Sequence, residues 1–298
     1  MTEKGTFIKS KTLPWKSHYT ELEESYIHYL DEGEGDPVLF LHGNPTSGYL
    51  WRNIFPYLLP HARCIIPDLI GMGKSGKPRN SYRFDDHYRY LTAFINAMAL
   101  NNITLVLHDW GAALGFQYMK NHPDKIKKVV FMEAIIKPWR WRSIKLKHRL
   151  AIGMLRTPVV GELLIYGMNT FVNAVLPRLI QRRLTKEEKA AYREPFRKMQ
   201  DRKPTLIWAR QLPIHKKPAN IYRMITSYSE KFFISDVPKL LIHAEPGTLI
   251  TSKTVKWCKN HVRNLRIVNV GKGKHFIQED HPEAIGKAIE AWYVETEK

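Results

Sequence analysis

The sequence predicts an α/β protein in which a mostly parallel β-sheet carries helices on both faces and is interrupted by a helical insertion. Apolar, strand-like segments alternate with helical patterns up to about residue 135 and return after residue 236, which is typical of parallel sheets. Between them, helical patterns broken by prolines contain no convincing strand. We therefore predict a core of residues 1–135 and 236–298 and a helical cap of residues 136–235.

The alternation can be followed along the chain. The first strand-like runs are ESYIHYL, PVLFLH and RCIIPDL, and we predict a helix for LWRNIFPYL between the last two. A helical pattern from Phe84 to Ala99 comes next, followed by the strand ITLVLH, the helix GAALGFQYMKNH and the strand KKVVFME. After the insertion, VPKLLIHAEP and LRIVNVG are predicted strands, and a last helix begins near Pro282.

The composition is that of an ordinary globular protein. The chain has 298 residues, of which 44% are hydrophobic, and no stretch resembles a signal peptide or a membrane span. We therefore expect a cytoplasmic protein. The two cysteines, Cys64 and Cys258, have no metal-ligand spacing, and we expect neither a metal nor another cofactor. Both a monomer and a dimer are compatible with the sequence.

The positive charge is concentrated in the insertion. The net charge is +19, and residues 136–217 contain 20 basic and 5 acidic residues. Basic residues are interleaved with Trp139 and Trp141 in KPWRWRSIKLKHR, a pattern that suits nucleic acid or an anionic membrane surface. No nucleic-acid-binding motif accompanies it, so we expect no such partner. We interpret the segment as a solvated basic face with inward-packed tryptophans, and keep peripheral contact with an anionic surface as the alternative.

Polar residues follow several of the predicted strands. LVLHDWGAALGFQY has the form of a strand, a sharp turn and a helix that present a nucleophile, with Asp109 at the turn. Glu133 comes one helix and one strand later, Asn44 follows PVLFL, and His275 follows the last strand. Because ligands of open parallel sheets bind at the carboxyl ends of the strands, we expect these four residues to converge beneath the insertion.

The residue types predict nucleophilic displacement at carbon. A carboxylate is ionised at neutral pH and can attack saturated carbon without a base, which would leave an ester on Asp109. Neutral His275 would then activate water to hydrolyse the ester, while Glu133 would orient the imidazole. We expect the backbone N–H groups of Trp110 and Asn44 to stabilise the oxyanion that forms during this hydrolysis.

The side chains of Trp110 and Asn44 indicate which group leaves. An indole N–H and an amide NH2 can donate hydrogen bonds to an anion, but neither can protonate an alkoxide. A halide needs no proton. The pair therefore predicts cleavage of a carbon–halogen bond in a small apolar substrate, with water as co-substrate and alcohol, halide and a proton as products.

These motifs resemble the haloalkane dehalogenases of the α/β-hydrolase fold, and more narrowly the branch in which the catalytic acid follows a strand as M-E. The similar segments include FLHGNPTSGYLWRNIFPYL, LVLHDWGAALGFQY, FMEAI, VPKLLIHAEPGTLI and GKGKHFIQEDHPEAIG, and they extend over residues 18–292. The resemblance implies an eight-stranded sheet with an inserted helical cap. It also implies the roles given above for the five site residues, with Trp110 and Asn44 as the halide ligands. The five are Asp109, His275, Glu133, Trp110 and Asn44.

The resemblance further implies a buried apolar pocket that is reached through the cap and needs no cofactor. Phe171 matches a pocket-lining position, and Leu249 is a second candidate. The chain departs from the family at two places in the cap. It has the basic segment KPWRWRSIK where relatives tend to carry an acidic, proline-containing stretch, and Ala209 where they tend to carry proline. Both departures concern substrate range and access rather than the reacting groups.

Other functions remain as alternatives. The coelenterazine-using luciferase of sea pansies is similar to this branch and retains the five catalytic positions, whereas the proline after Asn44 and the segment HAEPGTLI favour the dehalogenases. A basic surface-binding protein with a vestigial hydrolase site is a further alternative. Epoxide hydrolases would be expected to have an apolar residue at position 44 and two acid tyrosines in the cap. The candidates by location are Tyr166, Tyr192, Tyr222 and Tyr228.

Overall fold

The β-sheet organises the molecule. The computed structural model describes residues 15–139 and 146–297. Within them the strands are β1 His18–Leu22, β2 Ser25–Glu32, β3 Pro37–Leu41, β4 Arg63–Pro67, β5 Ile103–His108, β6 Ile126–Ala134, β7 Lys239–Pro246 and β8 Leu265–Gly273. They form one eight-stranded sheet in the order β1-β2-β4-β3-β5-β6-β7-β8. The pairs β1/β2 and β2/β4 are antiparallel and the other neighbours are parallel. The predicted mostly parallel sheet is confirmed.

Helices connect the strands and fill the insertion. The α-helical segments are α1 Phe84–Ala97, α2 Asp109–Asn121, α3 Leu146–Arg156, α4 Val160–Glu162, α5 Leu176–Arg178, α6 Lys186–Arg193, α7 Lys203–Arg210, α8 Ala219–Ile234, α9 Ser252–His261, α10 Ile277–Asp280 and α11 Pro282–Glu295. Shorter 3-10 turns span Gly48–Trp51, Phe55–Leu58, Pro123–Lys125, Glu194–Phe196 and Met199–Arg202, and π-helical turns span Leu163–Gly167 and Phe171–Val175. Because α3 to α8 all lie between β6 and β7, the predicted helical insertion is confirmed. Its division from the core at residues 136 and 235 stays a prediction.

One local prediction is wrong, and one strand was not predicted. LWRNIFPYL forms two 3-10 turns, Gly48–Trp51 and Phe55–Leu58, rather than one helix. Pro56 lies in the first turn of the second segment and lacks the N–H that would continue an α-helix from the preceding residues. The edge strand β1 was not predicted, because its sequence HYTEL is mostly polar and has no apolar run that would indicate a strand.

The central strands β3 and β5 are buried on both faces. Their side chains alternate between two apolar clusters, with Leu39 and Leu105 in the cluster on one face and Phe40 and Val106 in the cluster on the other. This alternation follows from the two-residue period of a β-strand. The carboxyl ends of these strands are therefore held from both sides by packed side chains.

The turn from β5 into α2 is tight. Asp109, at its apex, has a φ of 50°, a left-handed conformation that is uncommon outside glycine. Two residues later, a Cβ atom on Gly111 would lie 2.4 Å from the carbonyl oxygens of Leu41 and His42. Only glycine therefore lets the start of α2 approach the end of β3 this closely.

Substitution of this glycine tests the close approach. We expect Gly111→Ala to lower the free energy of unfolding by about 1–3 kcal/mol, because the added Cβ overlaps backbone atoms that cannot rotate away. Gly153→Ala is the matched control, since Gly153 is also helical but no atom lies within 4 Å of its added Cβ. The control should raise the free energy of unfolding by about 0.5–1 kcal/mol. Urea denaturation measures both, and a stabilising Gly111→Ala would contradict the explanation.

Candidate active site

Four strands deliver the polar residues to one edge of the sheet. Asp109 follows β5 directly, Glu133 is the penultimate residue of β6, Asn44 comes three residues after β3, and His275 comes two residues after β8. All four are buried, with relative exposures of 9% or less. The structure therefore brings together the residues that the sequence singled out.

The imidazole of His275 lies between two carboxylates. Its Nδ1 is 3.2 Å from Oε2 of Glu133, and its Nε2 is 3.7 Å from Oδ1 of Asp109. The shorter contact assigns the Nδ1 proton to the hydrogen bond with Glu133, so the neutral ring presents an unprotonated Nε2. Because 3.7 Å exceeds hydrogen-bonding distance, this nitrogen is not occupied by Asp109 and can accept a proton from another molecule.

The two oxygens of the Asp109 carboxylate have different surroundings. The backbone N–H of Asn44 donates to Oδ2 at 2.9 Å, and the backbone N–H of Trp110 donates to the same carboxylate. A Cβ atom on Gly43 would lie 2.4 Å from Oδ2, so glycine is required beside it. The backbone N–H of Asn44 therefore holds Oδ2, whereas Oδ1 faces His275.

Burial and charge act in opposite directions on both titrating partners. Burial raises the pKa of Asp109, and the positive charge of His275 and the backbone N–H donors only partly offset this effect. Burial also disfavours the imidazolium of His275. The hydrogen bond to Glu133 and the negative charges of Asp109 and Glu133 nevertheless raise the pKa of His275 above its ordinary value. The charge of each group therefore depends on that of the other.

The loop after β7 surrounds the carboxylate of Glu133, which is fully buried. Thr248, Leu249 and Ile250 donate their backbone N–H groups to it at 3.1, 2.8 and 3.3 Å. Gly247 makes the turn with a φ of 64°, and its Cβ would lie 2.1 Å from the carbonyl oxygen of Ile250. These backbone donors therefore hold the Glu133 carboxylate in a fixed position beside His275.

Sequence reasoning missed this loop and one histidine. The Gly residue after a strand end in HAEPGTLI was the available signal for the loop. His108, directly before the nucleophile position, is fully buried, and its Nε2 lies 3.0 Å from the carbonyl oxygen of His275. Burial and the neighbouring His275 lower the pKa of His108, so it is neutral and donates to that carbonyl. A polar residue ending an apolar strand could have indicated this role.

The side chains of Trp110 and Asn44 offer hydrogen-bond donors. Trp110 is buried and packs on Trp208 of α7 with ring centroids 4.4 Å apart. No hydrogen bond joins its indole N–H to residues 15–139 or 146–297. The amide nitrogen of Asn44 donates one hydrogen to the carbonyl of Thr205 at 3.1 Å and has a second one available. The arrangement thus leaves two N–H groups for an anion.

The two predicted pocket residues occupy different settings. Phe171 begins a π-helical turn and is half-buried, and a cavity of about 140 Å³ lies beside it, lined by Val172, Leu176 and their neighbours. The side chain of Leu249 is half-buried against the core, and its backbone contacts Glu133. That either residue lines a substrate pocket stays a prediction.

Two of the four tyrosine candidates have engaged hydroxyls. The hydroxyl of Tyr192 donates to Glu279, and that of Tyr228 donates to the carbonyl of Ile135. These two tyrosines are therefore not available as the free phenolic donors that an epoxide hydrolase would need.

A buried ionic cluster joins the cap to the core beside His275. Arg52 donates two hydrogen bonds to Glu279, at 2.6 and 2.9 Å. Arg182, from the insertion, also contacts Glu279 and pairs with Glu188 at 2.7 Å. Because Glu279 is 2% exposed, its two guanidinium partners replace the water that it loses on burial.

Among the described residues, no group of three or more His, Cys, Asp or Glu side chains is arranged to hold a metal ion. The convergent groups are instead suited to acid–base and nucleophilic chemistry.

The chain is similar to proteins of one family along nearly its whole length. The family model described as the alpha/beta hydrolase fold matches residues 36–282. The haloalkane dehalogenase of Mesorhizobium japonicum is 42% identical over 287 residues, covering 95% of this chain and 93% of the relative. That of Sphingobium indicum is 42% identical over 280 residues, covering 92% and 94%.

Solved structures give the same result. The crystal structure of haloalkane dehalogenase DbeA from Bradyrhizobium elkani matches with a TM-score of 0.93 and 40% identity, covering 95% of this chain and 98% of that one. That of DatA from Agrobacterium tumefaciens matches with a TM-score of 0.90 and 36% identity, covering 94% and 96%. The chain therefore belongs to the haloalkane dehalogenases of the α/β-hydrolase fold, as its motifs predicted.

Proposed function

We propose that this enzyme cleaves carbon–halogen bonds in small apolar substrates through an ester on Asp109. The observation that carries the proposal is the asymmetry of that carboxylate: the backbone N–H of Asn44 holds Oδ2, while Oδ1 faces His275. The reaction also requires a place for the departing anion, and the side-chain N–H groups of Trp110 and Asn44 provide it.

In the first step Oδ1 of Asp109 attacks the carbon that bears the halogen. A carbon–oxygen bond forms, the carbon–halogen bond breaks, and the halide leaves with the bonding electron pair. The indole N–H of Trp110 and the amide of Asn44 donate to the departing halide. These donors act most strongly as the negative charge develops, so they stabilise the transition state more than the neutral substrate.

In the second step water hydrolyses the ester. Nε2 of His275 takes a proton from the water, whose oxygen attacks the carboxyl carbon of Asp109. The negative charge that develops on Oδ2 is stabilised by the backbone N–H groups of Asn44 and Trp110, while Glu133 stabilises the imidazolium. The bond between the carboxyl carbon and Oδ1 then breaks, and the imidazolium gives its proton to the departing alkoxide, which leaves as the alcohol. The water oxygen remains on Asp109, and loss of the second water proton restores the carboxylate.

The first step also prepares the base for the second. Together with Glu133, the negative charge of Asp109 raises the pKa of His275 in the free enzyme. Alkylation removes the Asp109 charge. The pKa of His275 therefore falls in the ester intermediate, and the imidazole is neutral when water must be deprotonated.

Substitution of the base should trap the intermediate. We expect His275→Phe to release one equivalent of bromide from 1-bromobutane and then stop, because the ester on Asp109 forms but is not hydrolysed. Mass spectrometry of the protein should detect one butyl ester, located on Asp109 by peptide mapping. His261→Phe, which changes an exposed histidine on α9, should turn over normally. Repeated turnover by His275→Phe would rule out this base.

The role of Glu133 should be detectable in the titration of His275. Because Glu133 contributes to the raised pKa of His275, Glu133→Gln should lower that pKa and reduce kcat by roughly a hundredfold or more. Wild-type activity should decline as the pH falls through the raised pKa, and the variant's residual activity should decline at lower pH. Histidine NMR titration and pH–rate profiles measure both. An unchanged His275 pKa would contradict a direct electrostatic role.

Bromide binding should distinguish the role of Trp110 from that of Trp208. Loss of one hydrogen bond to a charged group costs about 1.5–3 kcal/mol, so Trp110→Phe should weaken bromide binding roughly tenfold to a hundredfold. Trp208→Phe removes a second buried indole that has no hydrogen-bond partner among the described residues and serves as the matched control. Its dissociation constant, measured by calorimetry, should remain within about threefold of the wild-type value. Equal losses in both variants would contradict the assignment to Trp110.

A further inference from the structure

A bent helix pair in the insertion exposes apolar side chains. Residues 149–156 of α3 and residues 160–167, which comprise α4 and a π-helical turn, meet at an angle of 104°. We call residues 150–168 the apolar corner. Its exposed apolar residues and their relative exposures are Leu150 (63%), Met154 (49%), Val159 (77%), Val160 (40%), Leu163 (63%) and Met168 (61%). Contiguous exposed apolar patches of this kind mark interaction surfaces.

Polar contacts fix the inner side of the apolar corner. Arg210 of α7 donates to the carbonyl of Leu155 at 3.1 Å and pairs with Glu162 at 2.6 Å. A Cβ atom on Gly161 would lie 2.3 Å from that same carbonyl oxygen, so the two helices pack closely. A surface helix normally buries its apolar side and exposes its polar side. At the corner this arrangement is partly reversed.

The tip of the corner is strained. Val159, the most exposed of the six residues, has a φ of 65°, which is an outlier for a β-branched side chain. Such a conformation costs free energy and persists only where the surrounding structure enforces it. The outward direction of Val159 is therefore imposed by the fold.

The corner carries no unpaired acidic group. Glu162 is the only acidic residue between positions 137 and 186 of the sequence, and its carboxylate is paired with Arg210. Residues 136–217 contain 20 basic and 5 acidic residues. The net charge of the insertion is therefore strongly positive, and it complements a negatively charged partner.

A neighbouring turn also combines an exposed apolar side chain with basic side chains. Lys198 and Met199 are exposed, and Arg202 of the same turn donates to the carbonyl of Gly167 in the corner at 3.3 Å. A second copy of the chain would bring an equally basic surface against this one, because symmetric dimers pair identical patches. Charge thus disfavours self-association here and favours an anionic surface.

We propose that the apolar corner docks on an anionic lipid surface. Its aliphatic side chains would enter the boundary between head groups and acyl chains, while the basic surroundings contact lipid phosphates. Among the described residues no single helix is long and apolar enough to cross a bilayer. The structure thus favours, for this face, the alternative of anionic-surface contact over a purely solvated basic face.

Vesicle flotation tests the proposal with the full chain. Wild-type protein should float with vesicles of phosphatidylcholine and phosphatidylglycerol, bind less at high salt, and remain unbound with phosphatidylcholine alone. The double variant Val159→Asn, Leu163→Gln removes two apolar side chains without adding charge, and asparagine tolerates the positive φ. Its binding to the anionic vesicles should fall at least about tenfold, because burial of a single aliphatic side chain strengthens binding by about tenfold.

Ile234→Gln is the matched control, since Ile234 is 57% exposed but lies at the end of α8. It should float like the wild type. Both variants should release bromide from 1-bromobutane at the wild-type rate without vesicles, which separates this test from that of the proposed reaction. The proposal is overturned if the wild-type protein does not bind anionic vesicles or if the corner variant binds them as well as the wild type does. Light scattering that reveals a dimer lost only in the corner variant, without vesicle binding, would instead assign the surface to a second copy.

Discussion

The site depends on keeping one carboxylate ionised after it has been removed from water. Burial opposes the charge of Asp109, and only groups that are already in place can offset the lost hydration. Those groups are backbone N–H donors at the end of β3 and the start of α2, together with the imidazole of His275. Gly43 and Gly111 allow the required approach, because a Cβ at either position would overlap neighbouring atoms. The adjacency of β3 and β5 in the sheet is thus part of the chemistry.

Residues that touch no reacting atom position the histidine. The loop after β7 fixes Glu133 through three backbone N–H groups, and Glu133 in turn orients the imidazole. His108 lies against the other side of His275 and donates to its carbonyl. The proposed reaction therefore relies on β7, although none of the proposed reacting groups belongs to that strand. Such supporting contacts set the precision with which a catalytic group is held.

Local patterns in the sequence predicted much of this arrangement, and long-range contacts account for what it missed. Apolar runs and the strand–turn–helix around Asp109 are encoded within a few residues, so the sheet and the convergence of the site could be predicted. Leu249 was expected in a pocket, but the importance of its backbone for Glu133 arises from residues 116 positions apart. Leu150 and Met154 have the i, i+4 spacing of an apolar helix face that would ordinarily indicate a core, and only the fold reveals that they are exposed. Trp139 packs against the core as predicted, and Trp141 lies outside the described residues.

The ionic cluster around Glu279 gives the junction between cap and core a distinctive response to heat. Hydration of charged groups becomes less favourable as temperature rises, so the penalty for burying Arg52 and Glu279 declines on warming. Apolar packing gains no comparable advantage. The contribution of this junction therefore grows relative to that of the surrounding core as the protein is heated. On warming, the contacts that dock the cap beside His275 therefore weaken less than the apolar packing around them.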